Sequence, residues 1–220
     1  MALFDDRRDA GRQLARRLGG FRGQNLVVLG LPRGGVPVAA EVARSLHAPL
    51  DVIIVRKLGL PFEAEVAMGA IGEQAVRVLN RRLLARASVT DSDILAVERR
   101  ERALLEARVA RLRGTGALLD LVGRMALIVD DGVATGSTAE AACLVARRSG
   151  AERVVLGVPV IAAEAVRELT RPGILADEVV AVAAPFGFAA VAQYYRHFEP
   201  TPDADVAELL SAAVRRTHTG

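Results

Sequence analysis

The 220-residue sequence has one cysteine and one lysine, and none of its apolar runs approaches the roughly 18 to 20 residues needed to cross a bilayer. A lone thiol excludes an internal disulfide. Cys143 lies in TAEAACLVARR, the apolar face of a predicted helix, and is read as core packing rather than as an activated thiol. With 51% apolar and 25% charged residues, the composition is that of a soluble globular protein, and its length suits one domain over 1–220. The N-terminal MALFDDRRDAGRQLARRL starts with acids, alternates at helical spacing and has no secretory core, so a cytoplasmic location without a membrane partner is expected. Net charge is +3, but the arginines are scattered and interleaved with acids, a pattern that disfavours nucleic acid as a partner.

What is present is a rhythm of short Val, Ile and Leu runs: 25–31, 51–55, 125–130, 153–160 and 178–184. They are continuously apolar rather than alternating, as strands covered on both faces are. Amphipathic stretches over 35–47, 136–149 and 162–169 alternate with them, which predicts an α/β fold: a doubly wound, mostly parallel sheet flanked by helices. The interval 59–123 breaks the rhythm. Its latter part, about 80–123, predicts an inserted helical hood, with Ile94, Val97, Leu104, Leu105, Val109 and Leu112 on one stripe and a capping box at Thr90 and Asp93. The arginines and glutamates of this insert alternate as on a solvated helix.

Ligands of such sheets sit at the carboxyl ends of the strands, and three turns there are unusual. In ALIVDDGVATGST, an apolar strand runs into Asp130 and Asp131, and a turn with almost no side-chain bulk leads into a helix. Bare amides at a helix N-terminus make a phosphate cradle, helped by the hydroxyls of Thr135, Ser137 and Thr138. Two acids beside it make sense where the ligand also offers hydroxyls or a metal. GLPRGGVP follows the first strand with Arg33, a forked cation, and with Gly34 and Gly35, which allow an anion to approach the backbone. VRKLG follows the second with Arg56 and Lys57. Of 29 basic residues only Lys57 is lysine, a hint that this position needs a compact ammonium. No G-x-x-x-x-G-K-[ST] and no G-x-G-x-x-G occurs, which sets aside P-loop and dinucleotide-binding readings.

The strand, paired acids, short spacer and TGST resemble the 5-phosphoribosyl-1-diphosphate (PRPP) signature of type I phosphoribosyltransferases, in a bacterial branch with LPRGG, VRK and DDGVATG. The resemblance implies that Asp130 and Asp131 hold the ribose hydroxyls while Ala134, Thr135, Gly136, Ser137 and Thr138 wrap the 5-phosphate. Arg33, Gly34, Gly35, Arg56 and Lys57 would receive the pyrophosphate with its Mg²⁺, held mainly through PRPP rather than by protein ligands. The segment PFEAEVAMGAIGE falls where relatives carry a mobile loop, and Glu65 within it is a candidate proton acceptor. Phe188 resembles the position from which purine-specific relatives stack a ring on the acceptor base. The implied activity is transfer of the 5-phosphoribosyl group to a nitrogen acceptor, a purine-type base being one candidate, with homodimers common among relatives. Many purine-specific members carry an acid where this chain has Ala134, and the alternative is a non-catalytic PRPP- or nucleotide-binding regulator.

Overall fold

The computed structural model describes residues 2–73, 75–113, 118–170 and 176–217. In chain order the elements are α1 (Arg7–Arg17), β1 (Leu26–Gly30), α2 (Gly35–Leu46), β2 (Leu50–Val52), β3 (Val55–Leu60), β4 (Glu63–Gly72), β5 (Arg77–Leu79), α3 (Arg81–Arg86), α4 (Asp91–Arg113), β6 (Met125–Val129), α5 (Ser137–Arg148), β7 (Arg153–Val160), α6 (Ala163–Leu169), β8 (Glu178–Ala183) and α7 (Asp203–Thr217). Five strands form one parallel sheet in the order β2-β1-β6-β7-β8. The chain winds outward from β1 to β2, returns to β6 and winds the other way. The turns after β1 and β6 therefore flank the switch point, where such sheets bind their ligands.

The unbroken apolar character of the strands has the expected cause. On β1 and β6, Val27, Leu29, Ala126 and Ile128 face one helical layer with α5 and α6, while Leu26, Val28, Leu127 and Val129 face the other with α1, α2 and α7. Cys143 belongs to the first layer and is fully buried, and burial pushes its thiol up to about 12. Disulfide-exchange reagents should label it only as fast as the protein unfolds, so the labelling rate in increasing urea should follow the loss of helical circular dichroism.

The run at 51–55 departs from expectation. β2 ends at Val52, and the chain leaves the parallel sheet to enter a second, antiparallel sheet, β3-β4-β5. Ile53 and Ile54 stay apolar because they face different cores, Ile53 the α5 layer and Ile54 the insert. The segment expected as a mobile loop is β4, paired on both sides. Within the expected helical insert, about 80–123, lie α3 and α4, and the small sheet over 55–79 precedes it. The capping box of α4 forms as read, with the Thr90 amide donating to Asp93 Oδ2 at 3.1 Å and the Asp93 amide to Thr90 Oγ1 at 3.2 Å. Ile94, Val97, Leu105 and Leu112 are buried against β3 and β4, Val109 packs beside them, and Leu104 lies outside the stripe at 49% exposure. The solvated face is real in part: Glu98 pairs with Arg102 at 2.9 Å, but Glu101 turns inward. Among the described residues, no helix is long and apolar enough to cross a membrane.

Candidate active site at the strand ends

The register of β1 and β6, with Gly30 opposite Val129, brings the two unusual turns side by side. Gly34 has ordinary helical angles, φ −62° and ψ −34°, so its lack of a side chain answers to space and not to conformation. A Cβ there would collide with the Asp131 carboxylate, and one on Gly35 would lie 2.6 Å from the Val129 carbonyl oxygen and 2.8 Å from Asp130 Cα. The glycines of PRGG are therefore the surface against which the paired acids pack. The Pro32–Arg33 peptide in this turn is cis.

The acids differ in setting. Asp131 accepts from Arg7 Nε at 2.8 Å, an ion pair whose side chains are 12% and 15% exposed. Arg7 is itself held by the Glu199 carbonyl at 2.7 Å and lies 3.9 Å from the centre of the Phe198 ring. The Tyr195 hydroxyl donates to the Asp131 carbonyl at 2.5 Å, and burial pushes this phenol up, so it stays a donor. Asp130 has no ion-pair partner among the described residues; its Oδ1 accepts the Asp131 amide at 2.8 Å. Burial first, and then the Asp131 charge, raise the Asp130 carboxyl well above the ordinary 3.8.

Beyond the acids, Gly136 takes the left-handed conformation, φ 82°, that lets the chain turn abruptly into α5. Ala134, Thr135 and Thr138 are exposed, and the leading amides of α5 have no acceptor inside the helix. Thr135 Oγ1 and Ser137 Oγ stand 3.5 Å apart. A cavity of about 380 Å³ is lined by Pro32 of the first turn, Arg56 and Lys57 of β3, Thr138 of α5, and Arg100, Glu101 and Arg108 of α4. Lys57 also borders a second, more apolar cavity of about 540 Å³ between β4, β5 and α5.

All three predicted turns meet at this end of the sheet, although Arg56 and Lys57 do so from an antiparallel strand. Arg56 donates twice to Glu101 Oε2, at 2.9 and 2.6 Å. Arg33 is nearly half exposed, with Asp203 of α7 at 3.8 Å. Phe188 packs on Tyr194, ring centres 5.2 Å apart, and on the sheet core; it is not among the residues lining the two cavities that Lys57 borders. The Glu65 side chain lies outside the described residues. Sequence reading missed Arg7, Tyr195, Arg108 and Asp203. The pairing of Arg7 with Asp131 spans 124 residues, so no local pattern announces it.

Residues 7–174 match the family model of the phosphoribosyl transferase domain. A protein of Mycobacterium tuberculosis, assigned provisionally by its name to the phosphoribosyl transferases, is 53% identical over 215 residues, which cover 98% of this chain and 48% of that protein. The chain thus spans about half the length of the curated relatives it matches. The crystal structure of TT1426 from Thermus thermophilus is 44% identical, with a TM-score of 0.83 over 96% of this chain and 98% of that one. A hypothetical protein from Neisseria gonorrhoeae, crystallised with bound ppGpp, shares the fold at a TM-score of 0.51 and 13% identity over 96% of each chain.

Proposed function

This chain belongs to the phosphoribosyl transferase family, and on that premise we propose that it moves the 5-phosphoribosyl group of PRPP to a nitrogen acceptor and releases pyrophosphate. The observation that carries the reading is the meeting of paired acids, a bare-amide turn and the cations Arg33, Arg56 and Lys57 at one switch point. Asp130 takes the ribose hydroxyls, and Asp131, oriented by Arg7 and Tyr195, adds the lone pairs it has left. Residues 134–138 receive the 5-phosphate on amides and hydroxyls. With the sugar fixed at both ends, C1 is held in line with the acceptor. As the bond from C1 to the diphosphate lengthens, negative charge grows on the leaving group, where Arg33, Arg56 and Lys57 stabilise it.

Among the described residues, no three His, Cys, Asp or Glu side chains gather as a cage for a metal. Mg²⁺ is commonly bound through one or two carboxylates plus substrate phosphates. Held mainly through PRPP, Mg²⁺ would supply positive charge to the diphosphate.

A binding protein without turnover is the second reading, favoured by Ala134, an exposed methyl with no proton-accepting group. Pyrophosphate release from PRPP across a panel of nitrogen bases tests the enzyme. PRPP binding by calorimetry with no release for any acceptor would favour the binding protein. Lys57→Arg is a sharper probe: the flat guanidinium should weaken PRPP binding by about tenfold, because Lys57 stands between two cavities where a compact charge fits. Unchanged affinity would make the lone lysine incidental.

A further inference from the structure

The cavity at the strand ends is lined by one cation, Arg108, that no acid pairs among the described residues. Among the described residues that line it, Arg56, Lys57, Arg100 and Arg108 are cationic and Glu101 is the one carboxylate. That carboxylate is already engaged by Arg56, and by Arg100 at 3.2 Å. Arg108 is half-buried and, among the described residues, makes no hydrogen bond and no ion pair. Arg33, Arg56 and Arg111 bring like charge to it, Asp203 brings opposite charge, and Arg111 stands 3.3 Å from that acid. Burial and these neighbours push the Arg108 guanidinium down. A half-buried, unpaired cation among cations disfavours the empty fold and calls for an anion. Arg108 enters the cavity from α4, apart from the turn and strand that carry Arg33, Arg56 and Lys57, the cations assigned to the diphosphate.

We infer that Arg108 recognises an anionic group on the acceptor, so that the acceptor is a nitrogen base bearing a carboxylate or a phosphate. The inference rests on the phosphoribosyl-transfer reading, whose substrate class it narrows. Calorimetry on the full chain first measures PRPP affinity for the wild type, Arg108→Met and Arg108→Lys. Equilibrium dialysis of the pyrophosphate-saturated proteins then uses six-membered and fused-ring nitrogen bases, each as carboxylate, phosphonate and neutral carboxamide. For at least one ring an anionic form should bind the wild type about tenfold or more tighter than its carboxamide, the better of the two identifying the group. Arg108→Met should erase most of that preference and Arg108→Lys keep part of it, with PRPP affinity changing less than about threefold. Equal binding of anionic and neutral forms on every ring would overturn the inference alone. So would an Arg108→Met loss of PRPP affinity as large as its loss for the anionic base. A wild type that binds no PRPP would remove the phosphoribosyl reading, and the inference with it.

Discussion

Asp130→Asn is expected to lower kcat/KM for PRPP by on the order of 10²–10³, the scale for one preorganised polar contact, while making the ligand-free protein more stable at neutral pH. Both effects come from one cause. The Asp130 carboxyl is raised above its ordinary 3.8 by burial and by Asp131, so the folded state holds its proton to higher pH than the unfolded chain does. The stability this group contributes is complete below the unfolded value and is lost as pH rises through the folded one. Asparagine has nearly the same shape, can still accept the Asp131 amide, and carries no charge at any pH. The stability difference between variant and wild type should therefore be small near pH 4, widen as pH rises, and level off at roughly 1–3 kcal/mol, the scale of an uncompensated buried polar group. Urea unfolding from pH 5 to 9 measures it. A variant less stable than wild type at pH 8 would mean that the Asp130 charge is well solvated in the ligand-free protein, and Asp130 would not be a group that a ligand completes.

An acid that weakens its own fold is consistent with a binding site shaped for a ligand that brings hydroxyls and a cation. The same holds for Arg108 among its like-charged neighbours. One follows β6 of the parallel sheet and one is on α4 of the insert, and among the described residues neither has an ion-pair partner.

Local patterns announced local structure well. The continuous apolar runs of β1, β6 and β7 reflect two buried faces, and the small-residue turn after Val129 reflects a helix that must start within a few residues. The stretch 51–55 misled because Ile53 and Ile54 are apolar for different cores, a distinction that periodicity cannot make. The segment 61–73 misled because its position was read from the resemblance, whereas β4 within it is paired on both sides. What could not be read at all were pairings set by strand order. Arg7 meets Asp131 and Arg33 meets Asp203 only because α1 and α7 close the same layer, so the charge balance of the site is a property of the fold.

That fold-level coupling gives Gly34→Ala a large expected effect. Gly34 has angles that alanine adopts freely, so on backbone grounds the change should stabilise slightly. Its new methyl would instead collide with the Asp131 carboxylate. The carboxylate cannot retreat, because Arg7 holds it at 2.8 Å and Arg7 is fixed in turn by the Glu199 carbonyl and the Phe198 ring. The variant should lose about 1–3 kcal/mol of stability by overpacking, and kcat/KM for PRPP should fall about 10²-fold as the acids shift by a fraction of an ångström. Asp131→Ala alone also destabilises, since it leaves the poorly accessible Arg7 without its partner. In the double variant the methyl meets no carboxylate, so the two costs should not add, and a coupling of about 1–3 kcal/mol should appear in a double-mutant cycle by chemical unfolding. Turnover should stay low, because the acid itself is gone. If Gly34→Ala costs as much in the Asp131→Ala background as in the wild type, the close approach of PRGG to the acids is not what demands glycine. The turn after β1 and the acids after β6 would then have to be treated as independent sites.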